Sequence, residues 1–259
     1  MEAIIKHPSG DYSIDFSKPI DISIHTNAEN HSSRAWYVDP IKIEIIRTDQ
    51  FVGSVAEGGS TNFRNIHFNP HGNTTHTECV GHIANEVFDI NKSLKQYFHK
   101  AQLISIQPER VETEYSEWVK KDDLRITFAQ IKSISLEDCN TLIIRTLPNQ
   151  EIKKNKNWSS TNWAYLEPEA ASYLASKGIE HLLIDLPSVD REFDGGALLA
   201  HHAFWNYPNN TRMNATITEM IFVPDNVKDG IFFINLQPAS FVNDASPCRP
   251  VIYEAKNCS

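Results

Sequence analysis

Between positions 71 and 82 the chain reads His71-Gly72-Asn73-Thr74-Thr75-His76-Thr77-Glu78-Cys79-Val80-Gly81-His82. This places three imidazoles and a carboxylate in twelve residues of a 259-residue chain with 11 histidines in all. Neutral imidazole nitrogens and carboxylate oxygens are the usual protein ligands of zinc, manganese and ferrous iron, and burying such groups unpaired is costly. The run therefore points to a divalent cation. If the chain is extended here, the even offsets of His76, Glu78 and His82 put their side chains on one side. His71 breaks that parity, and Gly72 with Asn73, which tolerate a left-handed turn or bulge, would swing it back.

Three local ligands hold a cation incompletely, so further donors are sought downstream. His201 and His202 follow the apolar segment Gly195 to Ala200, and Glu219 interrupts the strand-like Thr216 to Val223. Each has an ordinary reading as well. A solitary histidine is usually a surface or hydrogen-bonded core residue, and Glu219 fits a solvated strand face. Cys79 lies inside the run, but a thiolate beside a cation would become a ligand sooner than a nucleophile.

The elements that must position these residues read as an α/β protein with a mixed sheet, one domain over 1–259. Ile41 to Ile46 alternates apolar and polar, and Leu103 to Ile106, Leu142 to Ile144 and Leu182 to Ile184 are short apolar runs suited to buried sheet. Thr216 to Val223 and Ile231 to Leu236 add further strands. Pro168 to Lys177 reads as a helix, with Pro168 in its first turn and Gly178 where a C-terminal cap belongs. Pro108 to Asp123 and Gln150 to Trp163 read as solvated excursions.

A formal net charge of −9 argues against a nucleic-acid partner. No stretch approaches the ~20 apolar residues of a membrane span, and the first residues lack the apolar core of an export signal, so a cytoplasmic location is expected. Cys79, Cys139, Cys248 and Cys258 have no Cys-x-x-Cys spacing and are expected as free thiols.

The residues singled out resemble the metal-dependent cyclase and kynurenine formamidase family, whose signature is His-x-Gly-Thr-His-x-Asp-x-Pro-x-His. Here His76-Thr77-Glu78 and His82 match its second half in spacing. The resemblance extends through Asp21-Ile22-Ser23, Trp36, the run Ile184 to Asp190 and the run Asn243 to Val251. It implies a swivelling β/β/α arrangement, homodimers or homotetramers, and a small-molecule substrate. It also implies one or two divalent ions, zinc or alternatively manganese, the first held by His71, His76 and Glu78 and the second by Glu78, His201 and Glu219. His82 takes the family's proton-transfer position, and Trp36 its aromatic substrate wall. His201 is preferred to His202 because Phe204-Trp205 follows it at the family's spacing, with His202 kept as the rival.

The chain departs from the pattern in three places. Glu78 stands where the family has Asp. An extra residue between His71 and His76 implies a displaced first ligand and a single ion. Added residues between His201 and Glu219, including Pro208 to Arg212, imply a loop near the pocket. The activity implied is hydrolysis of a C–N bond in a formamide or small cyclic amide, with cation-activated water attacking the carbonyl and His82 relaying the proton. Two rivals stand beside it. One is a ferrous-iron oxygenase using His76, Glu78 and His201 or His202, with Arg212 gripping an acid cosubstrate; the other is a member that has lost turnover. Asp185 and Asp190 fit either the site rim or turn stabilisation, and Arg249 either a substrate carboxylate or a structural salt bridge.

Overall fold

The computed structural model describes residues 1–28, 32–114 and 116–258. Its centre is a nine-stranded sheet built, in chain order, from β1 (Ile20–Asp21), β2 (His76–Glu78), β3 (Phe98–Ile106), β4 (Thr141–Thr146), β5 (His181–Ile184), β6 (Thr216–Glu219), β7 (Gly230–Asn235), β8 (Ala245–Pro247) and β9 (Val251–Glu254). The spatial order is β8-β2-β6-β5-β4-β3-β7-β9-β1. The four middle strands, β3 to β6, run parallel, and every other pairing within this sheet is antiparallel. The sheet is therefore mixed and the class α/β.

The parallel core follows from the apolar runs. Leu142, Ile143 and Ile144 on β4 and Leu182, Leu183 and Ile184 on β5 are wholly buried, as strands covered on both faces must be. Alternation then sorts them. Leu142, Ile144, Leu182 and Ile184 share a cluster with Ile131, Leu174 and Phe204, whereas Ile143 and Leu183 join Leu103, Phe232 and Ile234 on the other side. The helices between the parallel strands thus form one layer. They are preceded in the chain by the short α1 (Pro70–Asn73), and comprise α2 (Phe128–Ser133), α3 (Pro168–Ser176) and α4 (Leu199–Trp205).

Local chemistry sets their ends. Thr127 and Gln130 form a reciprocal capping box on α2, Pro168 opens α3, and Gly178, with φ +83°, follows its C-terminus. Two sequence expectations change, and a third is met outside the central sheet. The strand expected over Thr216 to Val223 stops at Glu219, because Met220 adopts φ +54° and its N–H turns to Leu186 O. The strand expected over Ile41 to Ile46 forms as Lys42–Ile45, paired with Arg64–His67 in a two-stranded ribbon outside the central sheet. The run Gln150 to Trp163, expected to be solvated, carries buried Lys153, Trp158 and Trp163, and Lys153 Nζ donates to Asp185 Oδ2 at 2.8 Å.

The run Pro108 to Asp123 is mostly exposed as expected, although its position 115 lies outside the described residues and it ends on a buried Asp123 held by Arg191. Among the described residues no helix is long and apolar enough to cross a membrane. All four cysteines are free thiols.

Candidate metal centre

β2 lies between β6 and the edge strand β8, with His76 opposite Glu219 and Glu78 opposite both Ile217 and Ala245. Directly paired residues share a sheet face, and so do residues two apart on one strand. His76, Glu78 and Glu219 therefore project to the same side, at the carboxyl end of parallel β6, where open α/β sheets form their ligand crevices. This floor is sealed, the side chains of His76 and Glu78 being 0% exposed and that of Glu219 4%.

α4 brings His201 over this floor. Its N-cap residue Leu198 has φ +46° and no capping side chain, so the first N–H groups need another acceptor. Asp190, from the loop after β5, supplies it: its carboxylate accepts from Ala200 N at 2.7 Å and His201 N at 3.2 Å. The same carboxylate takes His201 Nδ1 at 2.5 Å, which aims His201 Nε2 at Glu78 Oε1, 2.9 Å away. His202 instead bonds Tyr207 O through Nδ1, so the structure brings His201 and not its neighbour to the cluster.

The remaining imidazoles come from irregular segments. The bulge expected at Gly72 and Asn73 is a helical turn, α1, with the Asn69 side chain accepting from Gly72 N. A Cβ at Gly72 would lie 2.7 Å from Val38 Cγ2 and 3.1 Å from Ala35 O, so glycine lets this turn seat against the 35–38 segment. The turn swings His71 inward to place Nδ1 3.1 Å from Glu78 Oε2, so that with the extra residue before His76 it still lies within the cluster. The extended-chain parity fails for His82, which sits in the 3-10 turn Val80–His82, yet its Nε2 still lies 3.9 Å from Glu78 Oε2. Gly81 makes that turn possible, since a Cβ there would meet Phe88 O at 2.3 Å.

The donor set fits a cation. His76 Nδ1 donates to Thr74 O at 3.0 Å, which leaves Nε2 as the bare nitrogen, 3.5 Å from Glu219 Oε2 and 3.9 Å from Glu78 Oε2. His76 Nε2 is buried without a hydrogen-bond partner, and Glu78 Oε2, also buried, accepts no well-directed hydrogen bond, its nearest nitrogen being His71 Nδ1 at 3.1 Å. Orphaned buried polar atoms on ligand-type side chains are what a metal ion would satisfy. The trios His71, His76, Glu78 and Glu78, His82, His201 each gather one ligand atom per residue within 4.8 Å of one another. The histidines and carboxylates also polarise one another. Burial opposes the charge on His71, but Asp244 and Glu78 override it and carry its pKa to about 10. Burial likewise resists charge on Glu78 and His201, yet His82 and His201 hold Glu78 well below the usual carboxylate range, and Glu78 and Asp190 lift His201. A bound cation would replace such protons.

Other candidates fall elsewhere. The Trp36 ring meets Trp163 edge-on at 4.8 Å, in a turn whose Ala35 N donates to Gly72 O beside His71. Cys79 is buried, its thiol near Phe88 O and its pKa raised by that burial, which removes the nucleophile reading. Asp185 accepts from Thr146 and Lys153 and is structural. Arg249 pairs with Asp21 at 2.7 Å. The Arg212 guanidinium bonds the Phe204 and Ile179 carbonyls, so the cosubstrate grip assigned to it does not form.

Asp190, read as either a site-rim or a turn residue, holds His201, whereas Asp244, within the run Asn243 to Val251, had no assigned role in the sequence reading. Asp244 Oδ2 lies 2.9 Å from His71 Nε2 and 3.4 Å from His82 Nδ1.

Fold and site together define a mixed-sheet α/β protein with a histidine and carboxylate centre at the end of its parallel strands. The family model described as Putative cyclase matches residues 14–191, and the chain belongs to this cyclase family. It is 26% identical over 244 residues to the kynurenine formamidase of Bacillus cereus, covering 92% of this chain and 96% of that protein. Among solved structures, a potential metal-dependent hydrolase with cyclase activity aligns with a TM-score of 0.62 at 17% identity, covering 92% of this chain and 98% of the other. An isatin hydrolase bound to the product analogue thioisatinate aligns with a TM-score of 0.63 at 14% identity, covering 92% and 93%. At these identities the structural likeness speaks for the fold.

Proposed function

We propose that the protein is a metal-dependent hydrolase that cleaves the C–N bond of a formamide or a small cyclic amide. The observation that carries this reading is the buried pair His76 Nε2 and Glu78 Oε2, neither in a well-directed hydrogen bond, at the centre of a sealed floor of ligand-type side chains. The kynurenine formamidase and isatin hydrolase among the similar proteins support the substrate class.

His71, His76, Glu78, His201 and Glu219 would hold one or two ions, zinc or manganese by donor type. A divalent cation supplies two things when bound: a lowered pKa for water and polarisation of a carbonyl. The protein's own groups then divide the remaining work. His82, 29% exposed at the mouth, would take a proton from water and pass it to the departing nitrogen. Trp36, in the turn that braces α1, is the wall for a planar substrate.

The reading includes self-association, supported by exposed Phe63, Ile66, Phe68, Phe241 and Val242, apolar surface that a second copy would cover. The oxygenase alternative loses support. Glu219 contacts His76 and His201 instead of standing idle, and Arg212 is engaged by backbone carbonyls.

The test is metal identity and stoichiometry on protein purified without added ions, with N-formylkynurenine and isatin hydrolysis assayed in parallel. Zinc or manganese with anaerobic turnover supports the proposal. Iron with oxygen-dependent turnover overturns it, as does metal-loaded protein that hydrolyses nothing across a panel of formamides, lactams and lactones.

A further inference from the structure

We propose that Asp244 is a positioning residue, clamping His71 and His82 as a stacked pair so that each ring turns its other nitrogen toward Glu78 Oε2. The proposal rests on the reading above in treating His71 as a ligand and His82 as the proton carrier.

The two rings lie with centroids 4.3 Å apart and planes 30° from parallel. On their outer side a single oxygen, Asp244 Oδ2, meets His71 Nε2 at 2.9 Å and His82 Nδ1 at 3.4 Å. On their inner side another single oxygen, Glu78 Oε2, meets His71 Nδ1 at 3.1 Å and His82 Nε2 at 3.9 Å. Two carboxylates bracket two imidazoles, and the bracket selects opposite tautomers. A carboxylate accepts only, so the nitrogen facing Asp244 carries a hydrogen in each ring, while on the inner side a bound cation would take the place of the proton that Glu78 otherwise attracts. With the cation bound, His71 would be Nε2–H with Nδ1 free to coordinate, and His82 Nδ1–H with Nε2 free to accept a proton. A hydrogen bond on one ring nitrogen sets what the other can do, both for a metal ligand and for a proton carrier.

The backbone shows why Asp244 can hold this place. It immediately precedes β8, whose Ala245 pairs with Glu78, and its own carbonyl accepts Cys79 N at 3.0 Å. The ladder that fixes Glu78 therefore fixes the base of Asp244 as well. A Cβ on Gly81 would come within 3.1 Å of Asp244 Cβ, so the bare glycine admits this approach. Among the described residues Asp244 is the one hydrogen-bonding partner on the outer side of either ring.

The competing role is that of ligand, since His71, His82 and Asp244 also gather ligand atoms within 4.8 Å. The experiment compares wild type, Asp244→Asn and Asp244→Ala as zinc-loaded proteins. Zinc stoichiometry and affinity are read by chelator competition, and imidazole tautomers by 15N-edited NMR. Wild type is expected to show protonated Nε2 on His71 and protonated Nδ1 on His82. Asp244→Ala should keep the zinc stoichiometry, lose about 10- to 100-fold in affinity, and show altered or mixed tautomers on these two rings. Asp244→Asn retains an acceptor oxygen of the same reach and should restore the wild-type tautomers and most of the affinity, which a general packing defect would not.

Unchanged tautomers and affinity in Asp244→Ala overturn the proposal. Loss of a whole zinc equivalent in both variants overturns it in favour of a ligand role. Wild type that binds zinc but hydrolyses no amide removes the hydrolase reading and leaves the clamp standing. Wild type that binds no zinc removes both.

Discussion

His76, Glu78 and Glu219 stand on adjacent strands whose backbones are locked in a ladder, whereas His71, His82 and Asp244 come from a four-residue helix, a 3-10 turn and the residue before an edge strand. The first group is sealed from solvent, while the second is 20%, 29% and 24% exposed. Ladder hydrogen bonds fix the floor's backbone independently of its side-chain contacts. The mouth depends on its side chains binding one another and Glu78. A rigid floor suits groups that must hold a charge at constant geometry. A partly open mouth suits groups that meet a substrate and exchange protons with it.

The largest effect expected of a single change is at the floor. Glu78→Gln removes the charge that His71, His76, His82 and His201 all surround. It should abolish metal retention and turnover together, read by metal content after dialysis and by amide hydrolysis. A variant that kept its full metal complement would show that the floor is not the ligand platform. Next in size is the mouth. His82→Ala should retain metal while kcat falls by about 10²- to 10⁴-fold, the range for loss of a general acid or base. Equal loss of metal and activity would erase the distinction between the two regions.

The two ends of β5 also differ. The loop beyond its carboxyl end carries Asp190, whereas its first residue, His181, is buried beside His99 with ring centroids 4.1 Å apart. Burial, then the neighbouring charges of His99 and Arg212, depress the His181 pKa to about 3, and burial lowers that of His99. The unfolded chain binds a proton at His181 below about pH 6.5 and the folded chain does not until near pH 3. Stability should therefore fall as pH drops through that window, by about 1.4 kcal/mol per pH unit for this one proton. Urea midpoints of wild type and His181→Asn at pH 7 and pH 5 isolate the effect. The variant, which retains a polar partner for Thr216, should lose less stability on acidification, and parallel losses would refute the assignment.

The smallest effect expected is at the surface. Arg249, 73% exposed and paired with Asp21, should change stability by no more than ~1 kcal/mol as Arg249→Ala, with kcat and KM unaltered. A raised KM would return it to substrate binding.

The ligand types and much of the sheet were legible in the chain. The apolar runs at Leu142 to Ile144 and Leu182 to Ile184 could bury both faces only as central strands, and the spacing of His76 and Glu78 put them on one face of whatever strand carried them. The end of β6 at Glu219 was not legible, because apolar sequence continues to Val223 and the break is a backbone conformation at Met220 imposed by contact with Leu186. The burial within Gln150 to Trp163 escaped for a related reason. Lys153 is hydrophilic by type but is drawn inside by Thr146 and Asp185.

By itself, the sequence determined which groups could bind a cation, since that depends on side-chain chemistry and on separations of a few residues. Only the tertiary structure decided between His201 and His202, drew His71 in from a helical turn, and gave Asp190 and Asp244 their partners. Those choices turn on ring orientation across separations as long as the 173 residues between His71 and Asp244, and hydrogen-bond direction over such distances is settled by packing and not by local pattern.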